Sequence, residues 1–179
     1  MAVDPRDTLV VENARIIFRN FAGREGQYNR EGDRNFCLLL DDEMAEQLEK
    51  DGWNIKGLKS REEGEPDQPY MQVSISYRNR PPTIVMITSK GRTTLGEDMI
   101  ELLDWADIKI IDLIINPYEW AVGGRSGVKG YVKSLYATIN EDFLALKYAD
   151  VPELGDVPAR AGRTYDFDGD IVETRAIEA

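Results

Sequence analysis

The chain has 179 residues, room for one domain of ordinary size and an appendage. It contains no histidine and a single cysteine, Cys37, which removes the commonest general base, the commonest zinc ligand, every Ser-His or Cys-His nucleophile pair and any intramolecular disulfide. A net charge of −11 disfavours nucleic acid as a partner unless cations are concentrated locally.

The N-terminus, MAVDPRDT, shows no basic region followed by an apolar run, so no signal peptide is expected. Residues 8–21 read as one long strand, with Val10, Ala14, Ile16 and Phe18 on one face and Asn13, Arg15, Ile17 and Arg19 on the other. Residues 22–33 are polar and glycine-rich, a loop. Residues 34–40 (RNFCLLL) form a second strand. Asp41 suits the N-cap of a helix over 42–51, with Met44 and Leu48 paired and Gly52 as its stop. Residues 53–56 resume extended structure and 60–69 are a polar loop. Residues 70–78 alternate clearly, with Met71, Val73, Ile75 and Tyr77 on one side and Gln72, Ser74, Ser76 and Arg78 on the other. Pro81-Pro82 breaks this strand, and 83–88 form another. Thr94-Leu95-Gly96-Glu97 has the form of a capping box, which predicts a second helix with Met99, Ile100, Leu102 and Leu103 as its apolar stripe. Residues 108–115 are a buried strand; Lys109 and Asp112 interrupt the apolar run 108–117, which is too short to cross a bilayer. Residues 123–127 (GGRSG) are a turn, and 128–139 a last long strand.

Short connections and little strand–helix–strand alternation predict a mainly β fold. The expected form is an OB-fold: a five-stranded antiparallel, partly open barrel with two short helices and extra strands. A β-sandwich is the structural alternative. Domain one spans 1–149. Residues 150–179 hold eight acids and three arginines, a net of −5, and read as a flexible acidic C-terminal tail. The alternative for the tail is that Tyr165 and Phe167 pack on the barrel, of this chain or of a neighbouring subunit, and order the stretch; a homodimer is allowed.

The final strand carries the most suggestive chemistry. Alternation puts Lys129, Tyr131 and Lys133 on one face, where lysines suit phosphates and a ring suits a base. The bland reading, a solvated strand face, has equal weight from these residues alone. Arg15 and Arg19 form a similar stripe on the first strand. Tyr28, then Arg34 beside Phe36, Trp53 beside Lys56, and Tyr77 beside Arg78 repeat the pairing of cation and aromatic. Asp166 to Asp170 (DFDGD) fails as a calcium loop, because Ile171 and Ile177 stand where glycine and glutamate are required. GGRSG lacks the ending of a phosphate-binding loop. Asp98, Glu101, Asp104 and Asp107 read as a wet helix face rather than paired acids.

Four blocks resemble phage-encoded single-stranded DNA-binding proteins of the Enc34-like family, distantly of T7 type: Tyr28-Asn29 through Phe36, Gly52 to Lys56, Ile111 to Trp120, and Gly127 to Lys133. The similarity spans roughly 8–148. It implies single-stranded DNA held across an OB-fold face, and an acidic tail that shields the cleft and contacts replication proteins; with no histidine and no convincing acid cluster, no catalysis, cofactor or metal is expected. This tail ends Ile177-Glu178-Ala179, without the terminal aromatic of the T7 type. The expected location is the cytoplasm of the infected bacterial host, with no membrane partner. The expected DNA-binding residues are Arg15, Arg19, Tyr28, Arg34, Phe36, Trp53, Lys56, Tyr77, Arg78, Lys129, Tyr131 and Lys133. The competing readings are a phage structural or assembly protein and a carboxylate metal-dependent nuclease.

Overall fold

A computed structural model describes residues 7–78, 80–152, 154, 164–165 and 171–172. The chain divides into two units, Met1–Glu141 and Asp142–Ala179. In the first, nine strands join one sheet: β1 (Leu9–Val11), β2 (Arg15–Asn20), β3 (Arg34–Leu39), β4 (Lys56–Leu58), β5 (Gln68–Ile75), β6 (Thr83–Thr88), β7 (Gly91–Leu95), β8 (Ile108–Val122) and β9 (Arg125–Ile139). The strand order is β1-β8-β9-β5-β3-β2, with β4 on β5, and β6 on β9 carrying β7.

The long strand expected over 8–21 is broken in two. Leu9–Val11 pair with β8 and Arg15–Asn20 pair with β3. Asn13, at φ 49, turns the chain between them, and its amide donates to the Asp112 carboxylate at 2.8 Å. One short segment therefore pairs at both ends of the open strand order. A second irregularity follows at Phe18. Ile17 pairs with Cys37, but the next paired residue is Asn20, opposite Asn35. The extra residue of this bulge is accommodated with Phe18 at φ 51, and its ring is turned out of the core face it was expected to share with Ile16.

The sheet is not wholly antiparallel. β9 runs parallel to β5 at Val73–Gly130 and Ser74–Tyr131, and parallel to β6 from Thr83–Ser134 to Ile87–Thr138. The stretch containing Pro81-Pro82 does not reverse the chain, so β5 and β6 follow each other along the same edge of β9. Its other edge pairs with β8 along nearly its whole length. Gly123 and Gly124, at φ 59 and 78, make the two-residue turn of that ribbon, the geometry that matches strand twist.

Helix α1 (Asp42–Lys50) forms as its caps dictate: the Asp41 carboxylate accepts from the Met44 amide at 2.7 Å. At its other end the Gly52 amide donates to Glu49 and the Trp53 amide to Leu48, a Schellman closure. The second predicted helix is shorter and later than its apparent capping box. Thr94 belongs to β7, and only Ile100–Asp104 wind into a 3₁₀ helix. Ile100 and Leu103 are buried there, whereas Met99 and Leu102 are exposed. The core runs through Phe21, Phe36, Leu38, Met71, Val73, Ile84, Leu113, Ile115 and Leu135.

In the second unit, helix α2 (Phe143–Lys147) is capped by Asp142, which accepts from Leu144 at 2.8 Å. Strands β10 (Thr164–Tyr165) and β11 (Ile171–Val172) pair antiparallel. The flexible-tail expectation falls largely on residues outside those described. No helix among the described residues is long and apolar enough to cross a membrane.

Candidate nucleic-acid interface

The sheet's register builds a transverse row on its outer face. Asn20 stands opposite Asn35, Asn35 opposite Ser74, Ser74 opposite Tyr131, and Tyr131 opposite Asn116. All five are half-buried, so one polar line with a single ring crosses five strands. The residues that flank Ser74 in β5, Val73 and Ile75, point inward and are buried, as period-2 alternation requires.

The middle of this row, Asn35, Ser74 and Tyr131, floors a groove of about 800 Å³ together with Gln72 and Lys129, and the loop 28–33 with Arg34, Tyr77 and Arg78 lines its sides. The loop is pinned in shape. The Asn29 side-chain amide donates to the carbonyls of Arg24, Arg30 and Asp33 at 2.9, 3.1 and 2.9 Å, and its oxygen accepts from Asn35 at 2.7 Å. Gly26 and Asn29 exchange backbone hydrogen bonds and hold Tyr28 at the tip of a tight turn, 92% exposed.

Electrostatics here differ from the chain average. The lining holds three cations, Arg34, Arg78 and Lys129, against two carboxylates, Asp33 and Glu97. Lys129 Nζ lies 5.1 Å from the centre of the Tyr131 ring, and Tyr118 meets that ring edge-on at 5.9 Å. Arg34 lies over Tyr77 at 5.7 Å and its Nη1 donates to Glu97 at 3.0 Å. The Arg34 Nε and the Tyr77 hydroxyl are buried with no hydrogen-bond partner. Burial raises the Tyr77 pKa, Arg34 opposes that, and Glu97 and Asp98 reinforce it.

Of the twelve expected residues, Tyr28, Arg34, Tyr77, Arg78, Lys129 and Tyr131 converge on this groove. Phe36 and Trp53 are in the core, which corrects their expected role as surface platforms. Phe36 faces inward with Leu38 and stacks on Phe21 at 5.6 Å. Trp53 is rolled inward by the closure of α1, and Gly130 leaves room for it: a Cβ there would come within 3.1 Å of the indole and 2.9 Å of Ile115. Arg19 is also re-assigned, because its Nη1 donates to the carbonyls of Leu103 and Ala106 at 2.9 and 2.8 Å. Arg15 lines other clefts, beside Asp41 and Asp42 in one of them. Lys56, on β4, and Lys133 are exposed but do not line the groove. Lys133 is the extra residue of a bulge, since Val132 pairs with Ile115 and Ser134 with Ile114.

Tyr118 is the functional candidate that reading the strands separately does not single out. Counting outward from Gly123-Gly124 puts it opposite Lys129 and on the Tyr131 face, so the turn alone could have found it. Trp120 shares that face, its ring over Gly127.

A concave β-face with exposed rings, flanking cations and a polar floor defines the class of surface that takes single-stranded nucleic acid. The family model for a putative phage ssDNA-binding domain matches residues 2–178, and the chain belongs to that family. Among solved structures, it is similar to the single-stranded DNA-binding protein from bacteriophage Enc34 in complex with ssDNA, at 13% identity over 75% of this chain and 88% of that one, TM-score 0.49. A C-terminal truncation of the Enc34 protein gives 14% identity, 75% and 87% coverage, and TM-score 0.49. A single-stranded DNA-binding protein encoded by bacteriophage T7 gives 12% identity, 86% and 99% coverage, and TM-score 0.39. A search of the curated proteins found no significant match.

Proposed function

We propose that this chain binds single-stranded DNA without catalysis and with little sequence preference, in phage DNA replication, recombination or repair inside the infected bacterium. The observation that carries the reading is the groove itself: Tyr28 and Tyr131 offer rings around a polar row, with Arg34, Arg78 and Lys129 alongside, and Tyr118 extends the surface edge-on from Tyr131. Bases stack on the tyrosines, and phosphates meet the cations. A phosphate reaching Arg34 competes with Glu97, and Arg34 Nε has a proton still to donate. Stacking accepts any base. The exposed surface of α1 carries Asp42, Glu43, Glu46 and Glu49, which suits neither a major groove nor a phosphate backbone.

We read the fold as an OB-type barrel whose first segment is split into β1 and β2, which pair at the two ends of the strand order. Residues 150–179, at net −5, act as the segment that meets replication proteins. The decisive test is fluorescence anisotropy of labelled oligo-dT against duplex DNA. Tighter binding to the single strand, weakening with salt by about −0.7 in log–log slope per phosphate contact, is the expected result. Equal or tighter binding to duplex would refute the reading.

A further inference from the structure

A second concavity, of about 430 Å³, lies beyond the loop that walls the groove, and Asn29 lines both. Two large rings stand in solvent there: Phe18 is 63% and Trp105 75% exposed. Phe18 is the bulge residue at φ 51, a left-handed backbone that bulky side chains avoid. Strain combined with exposure of an apolar ring points to use rather than to packing. Trp105 follows the 3₁₀ helix, with the Arg24 guanidinium 4.9 Å from its ring centre.

The surroundings are rigid. Arg19 ties β2 to the carbonyls of Leu103 and Ala106. The Asp104 carboxylate accepts from the amides of Phe21 and Ala22 at 2.7 and 3.0 Å. Asn20 clamps Arg24 from both sides, accepting from its amide at 2.9 Å and donating to its carbonyl at 3.0 Å. The loop between the two concavities is therefore a fixed ridge, with Tyr28 near its crest.

We infer that Phe18 and Trp105 form a second nucleobase-stacking subsite, which engages the same single strand after it leaves the groove across the Tyr28 ridge. This rests on the single-strand reading of the groove. A nucleobase fits because planar rings, one of them backed by a guanidinium, present π faces to a π ligand. Charge does not draw the strand there. Arg19 and Asp104 are occupied internally, and Arg24 is balanced by Glu25 in the same lining. The subsite works by stacking and has length as its signature: only a strand long enough to cross the ridge reaches it.

The test uses the full chain and two oligo-dT probes, of about six and about sixteen nucleotides, both within the range of single-module site sizes. Trp105→Ala is expected to weaken the longer probe about tenfold with an unchanged salt slope, and to leave the shorter one as in the wild type. Trp105→Phe retains most of the affinity. Phe18→Asn is the second variant: asparagine tolerates a left-handed backbone, so thermal stability holds or rises while the longer probe binds more weakly. Wild-type affinity of Trp105→Ala for both probes, or an equal loss for both, would overturn the subsite. So would a defect confined to self-association, which would assign the two rings to a protein contact. Failure of the wild type to bind either probe would instead bring down the groove reading beneath it.

Discussion

Val73 and Ser74 are neighbours in β5, yet they lead to opposite fates for two aromatic residues. Val73 pairs with Phe36, which is fully buried against Phe21. Ser74 pairs with Tyr131, which stays half-exposed on the groove floor beneath Lys129. Both rings stand two residues from a cation in the sequence, so proximity to charge does not separate them. Strand parity does, because a one-residue step moves a side chain from one face of the sheet to the other. The difference teaches that an aromatic–cation pattern locates a binding face only once the inward set of the same strand is known.

The comparison breaks most visibly on the inward side. Phe36→Ala and Trp53→Ala each remove a large buried side chain and are expected to cost about 3–5 kcal/mol of folding stability, read by urea denaturation. The fraction that remains folded should bind oligo-dT like the wild type. Stable variants with lost DNA binding would instead mean that these rings are platforms.

The outward side is expected to show smaller effects of the opposite kind. Tyr131→Ala should weaken single-strand binding by about 1–3 kcal/mol with little change in melting temperature, while Tyr131→Phe stays near wild type. Tyr118→Ala sharpens the point. A double-mutant cycle with Tyr131→Ala should reveal a coupling of about 0.5–1.5 kcal/mol in binding, because the two rings meet edge-on. Additive losses would place them at independent contacts.

Much of the fold was legible in the chain because local signals agreed with one another. Asp41 and Gly52 bounded α1, alternation over 70–78 found β5 and its inward set Met71, Val73 and Ile75 although the strand ends at Ile75, and Gly123-Gly124 marked the ribbon turn. Three features were hidden for physical reasons. The bulge at Phe18 depends on a register shift against β3, which no pattern within β2 reveals. Thr94-Leu95-Gly96-Glu97 has the residues of a capping box, but pairing of Thr94 with Val85 draws it into β7 instead. The parallel pairings of β9 are set by tertiary contacts, since Tyr131 meets Ser74 from 57 positions away in sequence. For the site, half the expected residues gather in the groove because cations and rings cluster near strand ends. Arg19 was misread because a surface arginine that ties two carbonyls looks, in sequence, like one free for phosphate.

The most direct test of the account is photo-cross-linking of a bromouracil-substituted single strand, with adducts mapped by mass spectrometry. Adducts at Tyr131, Tyr118 and Tyr28, with Phe36 and Trp53 unmodified, are the expected result. Adducts concentrated around Arg15 or Lys56, with Tyr131, Tyr118 and Tyr28 untouched, would contradict it.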